Sequence, residues 1–318
     1  MMKDVISSDK LVKAPATNEA INMWTDYCEL QCLVSDGFKI DQDQLSSIML
    51  KSYDFSEYTA RREQNKKERL TTFLNDVYTQ VRQRGQLLGD KYPFEIDSDE
   101  QLSLKEIELS GLNLLYILLL CASNLCYMKS INSLTSDFEV ICLYYMRKQF
   151  PTMEFKLFGS SNTNTYLCPE DVINDSKLKD RIVSLSKFIS VSYHKDMVDR
   201  LSPYNTGDGG LDLVGVRPMG DERKSIPVIF GQCACSPDQW SAKQQSVGDS
   251  HWKKFLHTWE TSFQRYIFIP IWYLNNENQF EDELKITECV VVDRLRILNV
   301  ADDSFITKCT SVEQDQGS

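Results

Sequence analysis

Apolar and polar positions run along the chain with two different periods. Over residues 41–86, Leu45, Ile48 and Met49, then Leu70, Phe73, Leu74, Val77 and Val81, recur three or four apart. That spacing predicts helix. The charged stretch between them, residues 60–70, reads as a solvated helix face. Residues 1–20 are polar and predict poor order at the start, and the acidic stretch 95–100 predicts a loop. The most apolar segment predicts a buried helix over 103–129, and 137–149 predicts another. The pattern then changes. Strand-like runs stand at 153–160, 211–216, 226–235, 266–274 and 288–295, with helical patterns at about 176–190 and 237–264 between them. Strands and helices interleaved in this way imply an α/β sheet with helices on its faces. The expected division is a helical N-terminal region, 1–130, and an α/β domain, 131–318.

Composition narrows the classes. The chain has 318 residues with 46 acids, 35 bases and a net charge of −11. A surface basic all over is excluded, whereas a local basic groove is not. Ten cysteines occur without a secretory-type start, since MMKDVISSDK has no apolar core. The expectation is reduced thiols packed as small hydrophobes in a cytoplasmic protein. The pairs Cys28/Cys32 and Cys233/Cys235 fit no four-ligand zinc spacing. The apolar run from Leu114 to Ala122 is nine residues long. A membrane span needs about twenty, so no membrane is expected as a partner. Phosphate-binding loops of the G-x-x-x-x-G-K-[ST] type, dinucleotide fingerprints and G-x-S-x-G elbows are absent.

The chemistry concentrates in GDGGLDLVGVRPMGDERKSIPVIFGQCAC, two strands joined by a polar loop. Alternation puts Asp212, Val214 and Val216 on one side of the first strand, and Val228, Phe230, Gln232 and Ala234 on one side of the second. Asp212 and Gln232 are therefore polar residues set into apolar faces. An unpaired carboxylate there is costly, and a divalent cation with oxygen ligands would remove the cost.

This pattern resembles the PD-(D/E)xK restriction-endonuclease-like superfamily, in its variants with Gln at the second acidic position. The resemblance covers roughly residues 130–300. It implies a restriction-endonuclease-like central mixed sheet flanked by helices, preceded by the mostly helical N-terminal region. It also implies a Mg2+-dependent endonuclease, with Mn2+ as a substitute ion, acting on DNA in an anti-phage defence or restriction system. An RNase on the same scaffold is the alternative, and a partner protein acting as sensor or activator is expected. Asp212 matches the first metal ligand, Gln232 the second through its amide oxygen, and Glu139 the acid on the preceding helix. The family's lysine should follow two residues after Gln232, where Ala234 stands. Lys243 is the replacement: Ser236, Pro237 and Gln239 match a helix start, and Trp240, Lys243 and Val247 then share a face.

Each assignment has a structural competitor. Glu139 stands three residues after Ser136 and also fits a capping box. Gln232 also fits a satisfied core amide, and Lys243 a side chain reaching out to solvent. Asp208, between two glycines, reads as a turn residue. The missing lysine and the net negative charge support a second function, a catalytically inactive nuclease-like fold used for binding or assembly.

Overall fold

The computed structural model describes residues 11, 13–16, 20–51, 60–106, 109–128, 133–159, 169–221, 223–261 and 263–303. The chain divides into two compact units, Met1–Ile131 with Ile271–Glu281, and Asn132–Pro270 with Asp282–Ser318. The return of 271–281 to the first unit is invisible in the hydrophobic pattern, which reads 266–274 as one strand. The expectation for residues 1–20 lies mostly outside the described residues, as do the side chains of 60–67.

The first unit contains helices α1 (Ile21–Val34), α2 (Gln42–Lys51), α3 (Ala60–Leu88) and α4 (Gly111–Ser123). A small antiparallel sheet joins them, β1 (Lys39–Ile40), β2 (Phe94–Ile96) and β3 (Leu102–Leu104), in the order β1-β3-β2. The expected helix over 103–129 is thus a strand followed by a shorter helix. The reason is local: Ser110 caps α4, exchanging bonds with Asn113 in a capping box, so the helix starts only at Gly111. The acidic loop expected at 95–100 is shortened by β2.

Polar residues occupy the centre of this unit. Arg84 of α3 is fully buried and bonds Asp26 at 2.6 Å and Glu29 at 3.0 Å, both on α1. Tyr92 and Tyr116 donate to Glu29 at 2.6 and 2.7 Å, and Ser123 to Asp26 at 3.0 Å. The guanidinium also lies 5.1 Å from the Trp272 ring. Charges so deep in a protein persist only when paired and hydrogen-bonded. This network does both.

The second unit is a six-stranded mixed sheet in the order β5-β4-β6-β7-β8-β9. Its strands are β4 (Glu154–Phe158), β5 (Val172–Ile173), β6 (Leu213–Val216), β7 (Val228–Cys233), β8 (Phe263–Phe268) and β9 (Val290–Val292). β6 is antiparallel to β4 and β7, while β7, β8 and β9 run parallel. Helix α5 (Ser133–Gln149) covers one face, with Tyr145 edge-on to Phe268. The other face carries Phe158 and Phe230 against Trp252, and Lys156 over Phe188. The covering segments there are α6 (Leu178–Phe188), α7 (Lys195–Asp199), α8 (Trp240–Lys243) and α9 (Asp249–Trp252), and α10 (Arg294–Val300) ends the unit.

Three expectations need correction. The helix over 237–264 is four short pieces, α8, the 3-10 turns Gln244–Val247 and Thr258–Glu260, and α9. Gln239, not Ser236, precedes α8 and offers no side-chain cap. The strand over 266–274 stops at Phe268, because Pro270 has no N–H for the ladder. The run 288–295 turns into helix after Val292, where the Asp293 side chain accepts the Arg296 N–H at 3.0 Å and caps α10. Among the described residues every cysteine is free, and most are buried, although Cys126 is exposed. No described helix is long and apolar enough to cross a membrane.

Candidate functional site

Asp212 stands at the entry of β6, where the backbone is pinned from both sides. Its N–H donates to the Gly231 carbonyl at 2.9 Å, and its carbonyl accepts from Phe158 at 2.8 Å. The pairing of Leu213 with Gly231 sets Asp212 beside Gln232 on the same sheet face. One Asp212 oxygen accepts both the Gln232 amide N–H, at 2.5 Å, and the Cys233 backbone N–H, at 2.6 Å. Both residues are buried, at 6% exposure each.

Burial pushes the Asp212 carboxyl well above the usual carboxylate range. The negative charges of Glu139 and Asp208 add to that push, while the Cys233 N–H and the Lys243 ammonium oppose it. The charges of two further sequence-selected groups, Glu139 and Lys243, therefore act on the buried Asp212 carboxylate. Lys243 is half-buried at the end of α8, between the buried Trp240 and Val247, and its charge also reaches Cys235. Glu139 is half-buried on α5. Since α5 begins at Ser133, Ser136 lies inside the helix and the capping-box alternative for Glu139 falls away. Asp208 does have the turn role: its carboxylate accepts the Gly210 N–H at 2.6 Å.

The Gln232 amide differs from expectation. Its nitrogen, not its oxygen, faces Asp212, and its oxygen accepts from the Ser246 hydroxyl at 2.9 Å. Ser246 has two further acceptors at hand, the carbonyls of Gly210 at 2.8 Å and Lys243 at 2.6 Å. Sequence reasoning missed Ser246. The only hint was its place one turn after Lys243, on the face that meets the sheet.

The donor set suits a hard cation in kind, with two carboxylates and an amide oxygen. Turning the Gln232 amide over would point its oxygen toward Asp212, the Ser246 hydroxyl then accepting the amide N–H while donating to a carbonyl. Among the described residues, no group of three or more His, Cys, Asp or Glu side chains is gathered as a ready metal centre. Cys142 and Cys233 hydrogen-bond each other, and burial holds both thiols above their ordinary range. They are packing groups, not nucleophiles.

No family model matches the chain, and neither the curated proteins nor the solved structures give a significant match.

Proposed function

We propose that the second unit is a metal-dependent phosphodiesterase that cleaves nucleic acid, a nuclease on a restriction-endonuclease-like sheet. The observation that carries this reading is the convergence on Asp212: Gln232 alongside it on the neighbouring antiparallel strand, with the charges of Glu139 and Lys243 acting on it. The strand order supports it, with α5 before β4, the antiparallel sheet neighbours β4, β6 and β7, and short helices between β7 and β8. In this reading Asp212 and Glu139 hold Mg2+ or Mn2+ through carboxylate oxygens, and Gln232 does so through its amide oxygen. The bound ion would polarise the phosphoryl group and acidify the attacking water. Lys243 orients that water and offsets charge developing on the phosphate. DNA is the proposed substrate, in an anti-phage or restriction role with a partner protein as activator.

A second reading has its own observation. The Gln232 N–H already satisfies Asp212 without any ion, as a nuclease-like fold retained for binding or assembly would require. One experiment separates the two. The purified chain is incubated with plasmid, linear duplex, single-stranded DNA and RNA in Mg2+, Mn2+ or EDTA, beside Asp212→Ala and Lys243→Ala. The nuclease reading expects metal-dependent cleavage, abolished in the first variant and slowed about 100- to 1000-fold in the second. Cleavage that survives Asp212→Ala or EDTA overturns it. Absence of cleavage together with no Mg2+-induced rise in thermal stability supports the inactive fold.

A further inference from the structure

We propose that Trp259 is a stacking platform for a base of single-stranded nucleic acid, a docking point separate from the Asp212 site. Of the five tryptophans, Trp24, Trp240, Trp252 and Trp272 are at most 1% exposed, whereas Trp259 is 71% exposed. One face of its indole is occupied: the His257 ring stacks on it at 4.4 Å and 19°. His194 backs His257 at 4.3 Å. Most of the indole surface away from His257 is open to solvent.

The support is held from several directions. His257 donates its backbone N–H to Ser192 at 2.8 Å, and His194 donates to Phe255 at 2.8 Å. Glu260 accepts the Ser192 N–H at 2.6 Å and the Lys224 ammonium at 2.8 Å. The ring is thus pre-oriented, and little ordering remains when a flat ligand arrives.

The surroundings select the occupant. A protein-binding tryptophan sits at the centre of a dry apolar patch. The rings next to Trp259 are His257 and His194, its chain neighbours are Thr258 and Glu260, and Glu260 in turn holds Ser192 and Lys224. A lone flat ring in a polar, lysine-bearing surround is the composition used to hold single strands, where stacking tolerates any base and lysines follow the phosphates. The two backbone segments that build the platform, 192–200 and 251–261, carry four bases and three acids, although the chain as a whole is at −11. The acid beside Trp259, Glu260, is already paired with Lys224. Lys195, Lys253 and Lys254 are exposed and belong to no ion pair among the described residues.

The platform is not part of the Asp212 site. Phe263, at the start of β8, pairs with Val228, and Ile267 pairs with Gln232. Four residues of strand, roughly 13 Å, therefore separate the β8 start from the level of Gln232. Trp259 lies before that start. A polymer can reach both places, and the choice of a nucleic acid as occupant rests on the phosphodiesterase reading.

The test reads binding, not cleavage. The full chain in EDTA is titrated with (dT)12, (rU)12 and a 12-base-pair duplex while tryptophan emission is recorded. Iodide quenching of the free protein identifies the exposed indole. The expected result is saturable quenching by the single strands, DNA and RNA arms showing which sugar is preferred, with weaker binding of the duplex. Trp259→Ala should lose the signal and, by fluorescence anisotropy of labelled strands, bind about 5- to 150-fold weaker. Trp259→Phe should recover part of the affinity. Unchanged affinity in Trp259→Ala, or quenching by dilution-sensitive self-association in place of oligonucleotide, overturns the platform. If Asp212→Ala abolishes cleavage while Trp259→Ala binds normally, the platform fails and the nuclease stands. If no form cleaves yet Trp259-dependent binding persists, the platform stands and the nuclease reading fails.

Discussion

Replacing Gly210 by alanine tests how tightly the Asp212 site is assembled. Gly210 has φ +78°, and a Cβ built there would lie 2.4 Å from the Ser246 Cβ and 2.9 Å from its hydroxyl. Gly220 is a matched control, with φ +80° and nothing within 4 Å of the same added atom. Both substitutions force alanine into the left-handed region, at about 1–2 kcal/mol. Both recover about 0.4–1 kcal/mol by restricting the unfolded chain. Only Gly210→Ala must also displace Ser246, an overpacking cost of about 1–3 kcal/mol. Gly220→Ala should therefore cost about 0–1.6 kcal/mol, and Gly210→Ala about 1–4.6 kcal/mol. Urea titrations followed by fluorescence measure both, because Trp240 and Trp252 are buried in this unit. Moving Ser246 also takes away the hydroxyl that would accept the Gln232 N–H once the amide turns to a cation, so Gly210→Ala should lose metal-dependent cleavage while Gly220→Ala keeps it. Equal destabilisation, within about 0.5 kcal/mol, would refute the close approach of Gly210 to Ser246 as the constraint on this site.

Two further outcomes are expected. Arg84→Met leaves Asp26 and Glu29 buried without their cation, so it should destabilise the first unit by about 3–5 kcal/mol in denaturant titration, and adding Asp26→Asn should restore part of that. Asp212 carries the opposite sign from a paired surface carboxylate. Its folded-state pKa is raised, so the unfolded chain releases the proton first and stability falls as pH rises from the ordinary carboxylate value toward the raised one. In EDTA, Asp212→Asn should be no more stable than the parent at pH 3 and more stable at pH 7. A parent that gains stability relative to the variant over that interval would refute the sign.

The legible parts of the fold are those whose pattern outlasts two turns of helix or four residues of strand. Strand alternation alone sets Asp212 and Gln232 each into an apolar face of its own strand, and the register with the hydrogen bond between them shows that the two faces are one. The small sheet of the first unit was unreadable, since strands of two or three residues are too short to display a period of two. Helix α1 was passed over for a different reason. Asn22, Thr25, Asp26 and Glu29 are buried together with Trp24, Tyr27, Cys28, Leu30, Cys32 and Leu33, so the helix shows no apolar stripe set against a polar one. No rule of local pattern can foresee that Arg84, about 55 residues further on, supplies the countercharge. The segment 237–264 misled through composition: aromatic and basic residues spaced as on a helix are divided among four short pieces, with extended backbone at Gly248 between two of them.

Gln232 shows why the site has the form it does. A glutamate there would set a second carboxylate against Asp212 inside a buried pocket, where two like charges raise one another's pKa and resist ionisation together. Such a pair would favour folding only with a cation or a proton between the two oxygens. The amide removes that requirement, because its N–H meets one Asp212 oxygen and its oxygen meets Ser246. In the proposed nuclease reading the pair can be buried without a metal, and the negative charge that would draw an ion in comes from Asp212 with Glu139 and Asp208 acting on it. The same amide can turn its oxygen to an incoming cation, since the Ser246 hydroxyl accepts as readily as it donates and has the Gly210 and Lys243 carbonyls for its proton. A group that can exchange donor for acceptor without moving its backbone suits a site that must be stable empty and competent when filled.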